Sequence, residues 1–256
     1  MLRTFKGDLH IHTCLSPCAG LDMGPKAIVA RAVERGLDMI GISDHNSCEN
    51  AAAVMKAAWD GRLKVLPGVE VTSREEVHIL ALFEDLPEAS SLQQMIYEHL
   101  PGENQEDVFG LQVVVNEDHE VVGMNKRLLA GASALTVEQV VDSIHALEGV
   151  AIASHFDRPA FGIVGQLGFV PGGLELDALE LSPHTTREDA QRRYPEYSRF
   201  CFVRASDAHC AKDIGAAYTS FLLSEPTLDE IKKALRGVDG RQVEPDAEAA
   251  GSPPGE

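Results

Sequence analysis

The sequence predicts an α/β fold: a largely parallel sheet covered by helices, open or closed into a barrel. Apolar, β-rich runs alternate along the chain with segments of helical pattern, the order expected of strand–helix–strand units. Five or more of these runs end in polar clusters of His, Asp and Glu, and in a parallel α/β barrel the strand ends converge on one ligand-binding face. With 256 residues, 44% of them hydrophobic, the chain can bury one good core, and a single domain of barrel size is an ordinary outcome.

Strands are expected at residues 4–12, 37–43, 63–70, 77–83, 150–155, 178–182, 200–206 and 218–223, each a short apolar run cut off by charge or turn residues. Helix fits residues 25–35, where Pro25 suits the first turn, and residues 50–59. Three further helices carry a capping box, a hydroxyl with Gln or Glu three residues on. These are Ser91 with Gln94, Thr136 with Gln139, and Thr227 with Glu230. The last should stop at Gly237, a residue suited to a left-handed cap. Residues 101–134, polar at 104–107 and then apolar at Val113, Val114 and Val115, read as a small insertion or cap near the mouth of the domain. The domain is expected over residues 1–240. Residues 241–256 lack periodicity and read as a disordered tail. There is no internal repeat.

Composition excludes several classes. Apolar stretches are far shorter than the roughly 20 residues that span a bilayer, and residues 1–7 lead straight into a strand with no signal-peptide segment. Five cysteines, with no CxxC pair, fit free thiols in a reducing compartment. A cytoplasmic protein without membrane partners is expected. The net charge of −18 disfavours long polyanions but leaves small anionic substrates open.

The clusters carry the chemistry. They are Asp8-Leu9-His10-Ile11-His12, Ser43-Asp44-His45-Asn46, Gly68-Val69-Glu70 with His78, Ser154-His155-Phe156-Asp157, and Ser206-Asp207-Ala208-His209. On an extended strand His10 and His12 project to one side, as does Asp8, and two imidazoles so placed form a chelate. Carboxylate oxygens and imidazole nitrogens suit Zn, Mn or Fe, and a carboxylate such as Glu70 or Asp207 can bridge two cations. The pattern reads as a polynuclear metal site. Arg158, three residues after His155, is the best candidate for a phosphate clamp because its planar fork matches phosphate oxygens. Lys126, Arg127 and His184 are lesser candidates. Asp44 is expected to orient a ligand or a water rather than bind metal, and Glu180 is expected to line the barrel without a chemical role.

Taken together, Asp-Leu-His-Ile-His-Thr from Asp8, Ser-Asp-His-Asn from Ser43, Pro-Gly-Val-Glu from Pro67, the isolated His78, Ser-His-Phe-Asp-Arg-Pro from Ser154 and Ser-Asp-Ala-His from Ser206 resemble the PHP (polymerase and histidinol phosphatase) domain. The resemblance covers nearly the whole chain apart from the tail. It implies a distorted (β/α)7 TIM-like barrel, two or three divalent metals and phosphoester hydrolysis. It implies metal ligands at His10, His12, His45, Glu70, His78, His155, Asp207 and His209. Glu70 would bridge, with His10, His12 and Asp207 on one side, His78 and His155 on the other, and His45 and His209 at a third metal. Many members place Asp or His five or six residues after the second histidine, where this chain reads Ser16-Pro17-Cys18. Cys18 or Asp22 could replace that ligand, and a thiolate would favour Zn.

The expected function is a metal-dependent phosphoric ester hydrolase acting on a small phosphorylated metabolite or nucleotide. Cations in such a site lower the pKa of a water and stabilise phosphoryl charge, with Asp44, Arg158 and Asp207 as the residues nearest the chemistry. The alternatives are a nuclease trimming short oligonucleotides and a metal-binding regulatory module without turnover.

Overall fold

The computed structural model describes residues 1–245. All eight expected strands form, and three short ones join them. They are β1 (Arg3–Ile11), β2 (Met39–Ile42), β3 (Lys64–Thr72), β4 (His78–Leu82), β5 (Val113–Val115), β6 (Val121–Met124), β7 (Val150–Ala153), β8 (Ala178–Leu181), β9 (Phe202–Arg204), β10 (Thr219–Leu223) and β11 (Gln242–Val243). The helices are α1 (Pro25–Glu34), α2 (Ala51–Ala57), α3 (Leu86–His99), α4 (Glu106–Phe109), α5 (Val137–Ala146), α6 (Ile163–Leu167), α7 (Arg187–Arg193) and α8 (Leu228–Arg236). None is long and apolar enough to cross a membrane.

Nine strands form one sheet in the order β11-β10-β1-β2-β3-β4-β7-β8-β9. The chain leaving β9 returns to β1, where Ala208 bridges Ile11 and His12 N–H donates to the Ala208 carbonyl at 3.0 Å. That contact closes β1, β2, β3, β4, β7, β8 and β9 into the distorted seven-stranded barrel, while β10 and β11 extend the sheet beyond β1. The sheet is mixed rather than largely parallel: β4 runs against both β3 and β7. Only residues 73–77 join β3 to β4, too few for the crossover of a dozen or more residues that a parallel pair needs.

This reversal positions the site. Because β4 is antiparallel, its first residue, His78, lies at the end of the barrel where the parallel strands finish. Strand alternation puts Leu66 and Glu70 on one face of β3, Ala178 and Glu180 on one face of β8, and His78, Leu80 and Leu82 on one face of β4. Leu66, Leu80, Leu82, Ala178, Phe5, Met39, Ile152 and Val203 fill an apolar cluster sealed by Leu228, Ile231 and Leu235 of α8. The face that is hydrocarbon at one end thus becomes histidine and carboxylate at the other. A second apolar cluster packs α1, α2, α3 and α5 against the outside of the sheet.

Local signals held at most helix ends. Thr136 and Gln139 form the complete capping box and Pro25 opens α1. Thr227 caps α8, which stops at Gly237 in the left-handed region (φ 65°); the Glu230 carboxylate instead serves Ser224 N–H and Arg241. The Ser91 box does not form. α3 starts six residues earlier, at Leu86 after Asp85, with Pro87 in its first turn, and Ser91 Oγ donates back to the Pro87 carbonyl at 2.9 Å. Gln242–Val243 pairs with β10, so the sheet continues past the expected boundary at residue 240; the expected tail from residue 246 onward lies outside the described residues.

The insertion forms a cap at the mouth. Its β5–β6 hairpin is held by Val113 N–H to the Cys14 carbonyl (3.2 Å) and by Asn50, whose amide donates to the Val113 carbonyl and accepts from Val115 N–H, both at 3.0 Å. α4 ends at Gly110, whose φ of 91° and close approach to the Pro17 carbonyl would put a Cβ 2.9 Å from that oxygen. Only glycine lets the cap sit this tightly on the loop after β1.

Candidate metal centre

Glu70, fully buried on β3, is the hub. Its Oε1 lies 3.0 Å from His78 Nδ1, 3.3 Å from His155 Nε2 and 3.4 Å from His10 Nε2. Its Oε2 lies 2.9 Å from His45 Nδ1 and 3.6 Å from His12 Nε2. Asp207 Oδ1 faces the same point, 3.2 Å from His12 Nε2, 3.5 Å from His10 Nε2 and 3.6 Å from His209 Nδ1. All eight residues expected as ligands therefore converge. Three overlapping sets are close enough to hold a cation: His10, His12 and Glu70; His45, Glu70 and His78; His12, His45 and His209. His45 belongs to two of these sets, one with Glu70, whose Oε2 it touches, and one with His209.

Backbone geometry aims these groups. His155 and Asp207, just past β7 and β9, have φ of 30° and 50°, and Asn46 beside His45 has φ of 52°, a region costing on the order of 1–3 kcal/mol per residue that clusters at functional sites. Asn46 holds its turn by donating to the Leu129 and Gly131 carbonyls, both at 2.8 Å, and accepting from Thr72 N–H. β1 shifts register between Asp8 and Ile11, and Asp8 does not join the histidines as expected. Its carboxylate accepts from Ser206 N–H and Gly215 N–H at 2.9 and 2.8 Å, tying β1 to the loop that carries Asp207; burial pushes this carboxyl up to about 6.

Supporting hydrogen bonds decide which ring nitrogens face inward. Ser16 Oγ–H and Thr13 Oγ1–H donate to the buried Asp44 carboxylate at 2.6 and 2.7 Å, as does Thr13 N–H at 2.7 Å. With its hydrogen so committed, Ser16 Oγ accepts from His12 Nδ1–H at 2.9 Å, leaving His12 Nε2 a lone pair. Glu180 was expected to carry no chemistry. It accepts from His10 Nδ1–H with both oxygens at 3.1 Å and from His155 N–H at 3.1 Å. The two Nε2 atoms of His10 and His12 then stand 3.2 Å apart, turned toward each other and toward two carboxylates.

Electrostatics calls for cations here. Burial pushes the Glu70 carboxyl up, but the charges of His78, His10 and His45 overcome it and hold it well below its ordinary range. Asp207 is likewise pushed up by burial and pulled far down by His10 and His12. His10 and His45 lose to burial and gain more from their neighbours, His10 from Glu180, Glu70 and Asp207 and His45 from Glu70 and Cys18, so both are raised, His45 to about 10. His155 Nδ1 is buried with no hydrogen-bond partner, and Glu70 Oε2 has none of good geometry although His45 Nδ1 lies 2.9 Å away, an anomaly in a buried site. A set of imidazole and carboxylate donors with unsatisfied atoms fits divalent Zn, Mn or Fe.

The mouth is a cavity of about 420 Å³ bounded by Pro17, Cys18, Val108, Phe109, Ala130, Arg158 and Phe161, with the ligand cluster below. Arg158 Nη1 binds Asp207 Oδ2 at 2.7 Å and the side chain is 39% exposed. Cys18 lines the cavity with His209 and His45; burial raises its thiol, but the neighbouring imidazoles bring it down to about 6. Asp22 is exposed and lines neither cavity nor cluster, so of the two substitutes only Cys18 reaches the site. Lys126 pairs with Glu106, Arg127 lies over the Tyr97 ring at 4.0 Å, and His184 is exposed away from the cavity. A larger cavity of about 1060 Å³ opens beside α5 and α8 and contains none of these groups.

A sequence model of the PHP domain matches residues 8–161, and one described as PHP-associated matches residues 190–237. No curated protein matches the chain. Among solved structures, the lesion-specific endonuclease EndoQ from Pyrococcus furiosus superposes with a TM-score of 0.70 at 19% identity, over 94% of this chain and 58% of its own. Endonuclease Q in complex with a 27-mer duplex carrying an abasic lesion gives 0.71 at 18% identity, with the same coverage. This chain thus spans less than two thirds of those endonucleases. A Bifidobacterium adolescentis protein assigned as a metal-dependent phosphoesterase gives 0.54 at 18% identity, over 79% of this chain and 87% of its own.

Proposed function

The chain belongs to the PHP domain family of metal-dependent phosphoesterases, and from that premise we propose that it hydrolyses the phosphate ester of a small metabolite or nucleotide at a di- or trinuclear centre. The observation that carries this reading is the convergence of His10, His12, His45, His78, His155, His209 and Asp207 around buried Glu70. Divalent ions held there supply a water of lowered pKa and positive charge for the phosphoryl oxygens.

The chain's own groups do the rest. Glu180 and the Asp44–Ser16 pair fix the His10 and His12 tautomers so that both Nε2 lone pairs point inward. Arg158, anchored on Asp207 with its remaining N–H groups at the mouth, binds phosphoryl oxygens as a fork. Asp207 holds that arginine with one oxygen while the other faces the cluster. The Val108, Phe109 and Phe161 side chains bound the opening and limit water around the reacting ester.

Likeness of fold to endonuclease Q supports a second reading, cleavage of short oligonucleotides. The net charge of −18 weighs against long nucleic acid. Protein reconstituted with Zn, Mn or Fe should release phosphate from members of a phosphomonoester panel, and Asp207→Ala should lose that release while keeping its circular dichroism spectrum. Cleavage of oligonucleotides alone would move the assignment to the nuclease, and bound metal without turnover of either panel would move it to a regulatory module.

A further inference from the structure

The mouth of the site is apolar where its floor is polar. Of the nine phenylalanines, three are exposed, Phe109, Phe161 and Phe169, and two of those three line the same cavity above the histidines. Isolated exposed apolar side chains are ordinary. Here Phe109 comes from the cap and Phe161 from the loop after β7, separate segments brought to one opening, with Val108 (67% exposed) beside Phe109.

Phe161 is held at a backbone cost, and Phe109 is placed by a tight contact of the cap. Phe161 has φ of 61°, an outlier for a bulky residue, fixed by its carbonyl accepting His78 N–H at 2.9 Å. One face of its ring stacks on His78, centroids 4.5 Å apart and planes 20° from parallel, yet the residue remains 40% exposed. Phe109 ends α4 immediately before Gly110, the residue whose missing Cβ lets the cap dock on the Pro17 carbonyl. A cavity of about 420 Å³ is at the small end for ligand sites, room for one ring system with its phosphate.

We infer that Phe109 and Phe161 form an aromatic clamp for a planar, base-like ring on the alcohol side of the phosphate ester, making the preferred substrate a nucleoside monophosphate. The inference rests on the phosphoesterase reading for the position of the phosphate, beside Arg158 and the cluster. Aromatic rings accept any base by its face, and each stacked base is sensitive to loss of its platform.

Adenosine 5′-monophosphate and ribose 5-phosphate carry the same ester on the same sugar and differ only in the base. The metal-loaded protein should favour the nucleotide about tenfold or more in kcat/KM, mainly through KM. Phe109→Ala should bring the ratio toward one, and Phe109→Tyr should restore it. The same pair measured by calorimetric binding to metal-free protein separates the two ideas. Tighter nucleotide binding that Phe109→Ala abolishes supports the clamp even if neither ester is hydrolysed. Equal efficiency for the two esters, equal binding, or a base preference unchanged in Phe109→Ala would overturn it.

Discussion

Two hydrogen bonds set the donor character of the centre: His10 Nδ1–H to Glu180, and His12 Nδ1–H to Ser16, whose own hydrogen is committed to Asp44. Such supporting partners typically change metal affinity 10–100-fold when altered. Glu180→Gln should therefore weaken divalent-ion binding by about 10-fold or more, measured by competition with a chelator, because an amide can also donate to His10 and let the ring take the other tautomer. Unchanged affinity would mean that packing alone orients the ring. Most of the candidate ligands were legible in the sequence because they lie in short local clusters at strand ends, His10 with His12 and Asp207 with His209, whereas His78 stands alone in its run and was legible only beside the other clusters. Glu180 was passed over because its partner is 170 residues away. The available signal was a carboxylate inside the apolar run 178–181, a position where an unpaired charge is not tolerated.

Among the elements, strand positions were readable from apolar runs, but the direction of β4 was not, since alternation is the same whichever way a strand points. The short link from β3 held the answer, and the reversal is what brings His78 to the mouth. β11 escaped notice because two residues, Gln242 and Val243, have no periodicity to read. It is fastened by Arg241, whose guanidinium reaches both Glu230 oxygens at 2.9 Å, with Ser224 N–H at 2.8 Å on the same carboxylate. These hydrogen bonds, Arg241 first, hold the Glu230 carboxyl far below its ordinary value. A depressed folded pKa contributes stability that is present above the unfolded value, about 4.3, and is lost as pH falls. Glu230→Gln should cost about 1–2 kcal/mol at pH 7 with one bonded partner part-exposed, or about 2–8 °C in Tm. The gap between the two proteins should narrow below about pH 4; a gap independent of pH would assign the loss to packing.

For the whole molecule, the barrel divides into an end packed with hydrocarbon and sealed by α8, and an end where six imidazoles and two carboxylates meet at Glu70 and Asp207. The first end folds by burial of apolar surface. The second gains least from burial, because its desolvated charges must be matched inside the protein. Protons on His10 and His45 can match them in part, since a protonated His10 can donate its Nε2–H to His12 Nε2 3.2 Å away, whereas a divalent cation would take both Nε2 lone pairs and carry more charge to set against the two carboxylates. Binding to the folded state alone adds stability by mass action, about 2.7 kcal/mol at a hundredfold excess over Kd, and a chain of this size shifts by about 2–4 °C per kcal/mol. Removing divalent ions with a chelator should thus lower Tm by about 5–10 °C, and restoring Zn or Mn should reverse it. Asp207→Ala should show a much smaller chelator effect, since it takes one donor from the cluster and releases Arg158. A wild-type Tm indifferent to chelator and to added metal would show that the charges are matched by protons after all, and would remove the metal centre on which the hydrolytic reading depends.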